Sequence, residues 1–152
     1  MSWLWASLAL GASFSTALDL PELANRAERV FAGEVTSMQQ ETGPDGLPWT
    51  VATVEVESTF RGPVSSTVEL SWPGGMLDDE IEMRVSGTPR VSEGDRLLIF
   101  ERGGQPVALS QGVLHFQDDQ HLWTATHLEF ADHSEPPAFY ALDEVLQALD
   151  PD

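Results

Sequence analysis

The stretch WTVATVEVESTF, residues 49–60, constrains the fold more than any other part of this sequence. Ala52, Val54, Val56 and Phe60 fall on one parity, and Thr53, Glu55, Glu57 and Thr59 on the other. A helix, with 3.6 residues per turn, cannot segregate that pattern, whereas a strand sends successive side chains to opposite faces. One parity needs cover and the other needs water, which specifies a half-buried antiparallel strand. Before it, TGPDGLP at 42–48 is turn chemistry throughout. After it, RGPVSS breaks the pattern, and TVELSW at 67–72 resumes it with Val68, Leu70 and Trp72 inward.

The same reading extends along the chain. VFAGEVTSM, 30–38, is a strand whose internal Gly33 marks a bulge or a sharp bend. RLLIFE, 96–101, is apolar at Leu97, Leu98, Ile99 and Phe100, so it is expected as a central strand covered on both faces. Gly103 and Gly104 turn the chain into PVALS, and GVLHF, two aspartates and HLWTATHLEF form a further hairpin. Two helices flank the strands. DLPELANRAERV can be capped by Asp19, with Glu22 at the reciprocal position and Leu20, Leu23, Ala24 and Ala27 on one face. After the proline stop SEPPA, FYALDEVLQAL carries Leu142, Val145, Leu146 and Leu149 on one stripe. The chain of 152 residues shows no internal repeat and no interdomain linker. The expected fold is therefore mainly β: a small antiparallel barrel or sandwich over residues 18–152, with a helix at each end.

The first 17 residues, MSWLWASLALGASFSTA, contain no acid or base. The apolar run from Trp3 to Phe14 is shorter than the roughly 20 residues needed to span a bilayer. It ends in Ser15, Thr16 and Ala17, small residues that suit a signal peptidase cutting after Ala17. No Lys or Arg precedes the run, so either the true start lies upstream or the α-amino group alone supplies the positive end. A removed signal peptide at 1–17 implies a periplasmic or secreted protein beginning at Leu18, with no stable membrane insertion.

Twenty-five acids stand against seven bases, for a net charge of −18, and all seven bases are arginine. Such a surface repels nucleic-acid phosphates and anionic headgroups and suits a basic partner or a cation. The absence of cysteine removes disulfides, thiolate metal sites and cysteine nucleophiles.

The series VFAGEV, VATVEVESTFRGPV, WPGG, MRVSGTPRVSEGDRLLIF and VALSQGVLHF resembles a group of small exported bacterial proteins, some of them encoded beside matrixin-like zinc peptidases. More remotely, the layout is similar to the netrin-like domain of tissue inhibitors of metalloproteinases, with Phe60, Arg61 and Gly62 at its F-K-G turn and Gly94 to Ile99 at its G-x-x-Y-L-L strand. The resemblance implies an OB-like barrel and a protein partner, with a secreted metallopeptidase as the specific expectation. Those inhibitors reach the protease zinc through an N-terminal cysteine. This chain has none, so that mode of inhibition does not carry over.

Several groups invite chemistry. His115, His121, His127 and His133 recur every six residues. Along one strand that step spans about 20 Å, at about 3.3 Å per residue, too far for ligands that must converge on one ion. A hairpin turning at Asp118 and Asp119 would set His115 opposite Leu122 and His121 opposite Phe116, on opposite faces. Asp78, Asp79, Glu80 and Glu82 have the hard oxygens calcium takes, without the D-x-D-x-D-G spacing of an EF-hand loop. Trp72, Pro73, Gly74, Gly75 and Met76 form a sharp reversal that can serve as a partner-binding rim, with Arg84 as a polar anchor. No G-x-S-x-G or H-E-x-x-H occurs, and no catalytic residue or cofactor is assigned. The expected function is an exported, non-catalytic binding module. The alternative is a carboxylate-dependent hydrolase or carbohydrate-active protein using the 78–82 acids, and a third reading is a cation-dependent structural protein.

Overall fold

The computed structural model describes Phe14 and residues 16–77, 81–125 and 127–150. Most of the expected signal segment, including Trp3 and Trp5, lies outside the described residues.

The protein is mainly β, built on an antiparallel sheet curled into a half-barrel, with two helices. The order is α1 (Leu20–Arg26), β1 (Arg29–Thr42), β2 (Pro48–Arg61), β3 (Thr67–Pro73), β4 (Gly75–Leu77), β5 (Ile81–Met83), β6 (Arg96–Arg102), β7 (Gln105–Pro106), β8 (Val113–Asp118), β9 (His121–Trp123), β10 (Phe139–Ala141) and α2 (Leu142–Leu149). The main sheet runs β10-β9-β8-β6-β1-β2-β3, with β7 folded back on β6, and β4 and β5 form a separate hairpin.

The two long strands β1 and β2 meet at the TGPDGLP turn. There Gly43 donates to Leu47 O at 2.8 Å, Asp45 Oδ1 accepts from Leu47 N, and Gly46 takes a φ of 79°. Their pairing slips beside Gly33. A Cβ on Gly33 would lie 2.3 Å from Glu55 O, so only a residue without a side chain allows this approach. The slip also redirects β2. Val56 packs with the core of the curled face, while Phe60 packs on the helix side. Simple alternation places both on one face; the irregular register separates them.

β6 sits between β1 and β8 and is covered on both faces, as its apolar run requires. Leu98 and Phe100 join Val30, Leu114, Leu122 and Tyr140 under the two helices, with Leu23 and Val145 against them. Leu97 and Ile99 join Phe31, Val35, Val54, Leu70 and Trp72 inside the curl. Asp19 caps α1 through Glu22 N at 2.9 Å, as its sequence signature asks. FYA, read from sequence as the start of the last helix, is instead β10, paired with β9; α2 begins at Leu142. PVALS contributes only the short β7 before a 3-10 turn at Leu109–Gly112.

Two arginines bind the layers together. Arg29 and Glu101 face each other across β1 and β6 in a bidentate pair, with Arg29 Nε 2.9 Å from Glu101 Oε1 and Arg29 Nη2 on Oε2. Glu101 is 1% exposed, and its Oε2 also accepts from Gly104 N at 3.0 Å. The Arg29 hydrogen bond holds the Glu101 carboxyl below the ordinary glutamate range, against the opposing effect of burial. Arg61 reaches the C-terminal carbonyls of both helices, Ala24 and Ala27 from α1 and Leu149 from α2.

On the outer edge, Phe14 stacks on Phe130 at 6.1 Å, Ala131 N donates to Phe14 O, and Ala17 N donates to Ser134 Oγ at 2.8 Å. Among the described residues, no helix is long and apolar enough to cross a membrane.

Truncating Leu98, which is fully buried at the centre of β6, to alanine should cost about 3 kcal/mol, read from urea unfolding. Glu101→Gln tests the pair. Because the folded carboxyl titrates below its unfolded value, its contribution is present at neutral pH and is lost as pH falls from roughly 4.3 through the depressed folded value. The stability gap between wild type and Glu101→Gln should therefore be about 3 kcal/mol at pH 7 and should shrink progressively as pH falls below about 4.

Candidate functional site

The 71–100 stretch is more than a crossing between sheet strands. After Trp72 and Pro73 the chain reverses through Gly74 and Gly75 into the β4–β5 hairpin, then returns along an irregular segment to β6. The reversal depends on backbone that side chains rarely adopt, since φ is 110° at Gly74 and 132° at Gly75. Gly74 N donates to Pro48 O at 2.9 Å, and Gly74 O accepts from Thr50 Oγ1 at 2.8 Å, so the reversal is pinned to the start of β2. Gln40 on β1 receives Met76 N on its Oε1 at 2.9 Å and donates from Nε2 to Thr50 Oγ1 at 3.3 Å.

These contacts shape an open groove of about 500 Å³. All six residues singled out from the sequence, Trp72, Pro73, Gly74, Gly75, Met76 and Arg84, line it. Their contributions differ. Trp72 is 4% exposed and belongs mostly to the core of the curl, showing the groove a small part of its surface. Met76 is 43% exposed and overhangs the opening. Arg84 extends into solvent and pairs with Glu82 through Nε at 2.8 Å, which raises its pKa further. Met38, Gln40, Thr50 and Met83 complete the floor and walls. Sequence reasoning missed them because Met38, Gln40 and Thr50 depend on the β1–β2 register and Met83 on the β4–β5 pairing, though three methionines around one opening is a signal of adaptable contact.

Of the acids weighed for a cation, Asp78, Asp79 and Glu80 lie outside the described residues, and Glu82 has its Oε1 on Arg84. Among the described residues, no three metal-ligating side chains cluster.

The histidines fall differently from expectation. Asp118 and His121 pair across an irregular step in the β8–β9 hairpin, so His115 stands opposite Trp123 rather than Leu122. Asp118 accepts Gln120 N and His121 N, and His121 Nδ1 lies 2.9 Å from Asp118 Oδ1. Those bonds, led by Gln120 N, lower the Asp118 pKa. His127 leaves the sheet and returns beside Ser110 and Thr88.

No protein-family model and no curated protein matches the sequence.

Gly75→Ala should collapse this site, because its Cβ would fall 1.7 Å from Gln40 Oε1 at a φ of 132°. A loss of about 1–3 kcal/mol is expected, measured by thermal unfolding. Gly46→Ala, also left-handed but with open space around it, should cost less.

Proposed function

We propose that the protein is an exported, non-catalytic binding module of the OB-like class that docks another protein through the groove between the 72–76 reversal and Arg84. The observation that carries this reading is the convergence of the reversal, the β4–β5 hairpin and the edge of β1 on one open concavity walled by methionines. Flexible thioethers repack against different surfaces, and the Glu82–Arg84 pair offers a polar edge to the same opening. The groove's described lining offers contact groups: thioethers, the Gln40 amide, the Thr50 hydroxyl and the Glu82–Arg84 pair. With a net charge of −18, a basic partner surface is favoured.

Support for the OB-like class comes from the order β3-β2-β1-β6-β8, a five-strand antiparallel path curled on itself. Ser71 N on β3 donates to Gly104 O in the β6–β7 turn at 3.0 Å, bringing the β3 edge across the curl onto β6, as in a partly open barrel. A secreted metallopeptidase as the partner rests on the sequence resemblance alone. Export rests on the leader-like first 17 residues.

Two measurements check this. The N-terminal sequence of protein recovered from periplasm or medium should begin at Leu18. Capture of basic proteins by the mature chain should fall at least tenfold in Met76→Ala and in Met76→Arg, the second also setting a like charge against the partner, with the melting temperature unchanged because Met76 is exposed. Equal capture by both variants would remove the groove from the interaction.

A further inference from the structure

A second cavity, of about 210 Å³, lies on the other side of Pro89 from the groove. Its lining brings together Arg90, Ser110, His115 and His127, with Thr124 and Ala125 at its edge. These residues come from the return segment before β6, the 3-10 turn, β8 and the chain beyond β9. Sequence spacing gave no hint of the meeting, because the chain leaves the sheet after Trp123 and folds back.

The hydrogen bonds define the chemistry. Ser110 Oγ donates to Gly87 O at 2.6 Å, so its proton is engaged. His127 Nε2 lies 3.3 Å from both Ser110 Oγ and Thr88 O. Thr88 O only accepts, and Ser110 Oγ has already donated, so Nε2 must carry the hydrogen. Nδ1 is then the atom that gains a proton when His127 charges. This tautomer cannot take a proton from Ser110, which is itself 1% exposed, so the pair is not a hydrolytic dyad. The site instead combines one fixed positive charge, Arg90, with two imidazoles that become cationic on protonation. Burial first, then the charges of Arg90 and His115, depress the His127 pKa. Burial depresses that of His115, opposed by Asp95, whose Oδ2 is 3.9 Å from Nδ1. Arg90 has no carboxylate partner among the described residues, in contrast to Arg26, Arg29, Arg84 and Arg96.

An apolar shelf adjoins this cavity. Leu97, His115, Trp123 and Phe139 are in register across β6, β8, β9 and β10, so their side chains share one face. Exposure rises outward along that row, to 40% at Trp123 and 54% at Phe139. The two aromatic rings meet edge to face at 5.4 Å. They are exposed large apolar side chains on the same sheet face as His115 of the cavity wall.

We propose that this cavity binds a small aromatic carboxylate, its carboxylate seated among Arg90, His115 and His127 and its ring lying against Trp123 and Phe139. The occupant is small because the cavity falls below the roughly 300–1,000 Å³ of drug-sized sites. Binding favours charged histidines, so it takes up protons. Affinity rises as pH falls from 7.5 toward the depressed histidine values, by at most about tenfold per pH unit for each proton taken up. It falls again below about pH 4, where the ligand carboxylate itself protonates.

Benzoate, its neutral isostere benzamide, and acetate serve as probes with the full chain, by titration calorimetry at pH 7.5 and 5.5 in buffers of different ionisation enthalpy. Benzoate should bind more tightly at pH 5.5 with net proton uptake, benzamide should not bind, and acetate should bind at least tenfold more weakly than benzoate. Arg90→Gln and His127→Gln, the latter keeping a donor toward Thr88, should each weaken benzoate at least tenfold. Trp123→Ala should reduce benzoate affinity to that of acetate. Melting temperatures identify which variants stay folded, and histidine proton resonances titrated with and without benzoate give the same answer in the wild-type protein. Equal affinity for benzoate and benzamide, no proton uptake, or wild-type affinity in folded Arg90→Gln would overturn the proposal. This site is separate from the docking groove, so neither result decides the other.

Discussion

The fold depends on how closely β1 approaches β2 at Gly33. With no side chain there, the backbone of β2 comes into contact distance and the strand register slips. The sheet bends at that point. Without a bend, β1, β2 and β3 would continue flat from β6, and their apolar parity would have to be covered from outside. With it, the sheet covers its own inner face, with Phe31, Val54, Leu70 and Trp72 meeting Leu97 and Ile99. The outer face is left to the helices. Two cores from one sheet explain why β6, which serves both, is apolar at four successive positions.

In a chain so acidic, the few cations carry much of the specificity. Arg29 neutralises the deeply placed Glu101 and fixes β1 against β6, and Gly104 N adds a further bond to the same carboxylate. Arg96 lies over the ring of Phe116 at 5.0 Å while bonding Glu57 and Asp119, so one guanidinium ties β2, β6 and the β8–β9 turn. Arginine suits these tasks better than lysine because its planar fork engages several acceptors at once.

Much of the strand layout was legible in the sequence because period-two patterns and turn residues are local. Val68, Leu70 and Trp72 point inward as their parity requires, Asp19 caps α1, and Gly33 marks an irregular step. What escaped has a common physical origin. FYA was absorbed into the following helix because three residues carry no periodicity of their own. Phe60 changed face because it falls between two register slips, the first of which reverses the parity of the residues that follow it until the second. The 72–76 rim and Arg84 were visible as turn chemistry and a nearby cation. Met38 and Gln40, which help complete the groove, come from a strand more than 30 residues earlier. The meeting of His115 with His127 was hidden for the same reason, since alternation ends at Trp123 and nothing local says where the chain goes next.

The reach of Arg61 has a consequence for how the molecule comes apart. One side chain grips the final carbonyls of helices that begin and end the described body, 88 residues separate Arg61 from Leu149, and both helices rest on the same apolar layer. Neither helix can fray at its C-terminal turn while this clasp is closed, and once it opens both lose an anchor together. Slow amide exchange in the two helices should thus rise and fall as a single cooperative unit, making elements far apart in sequence thermodynamic neighbours.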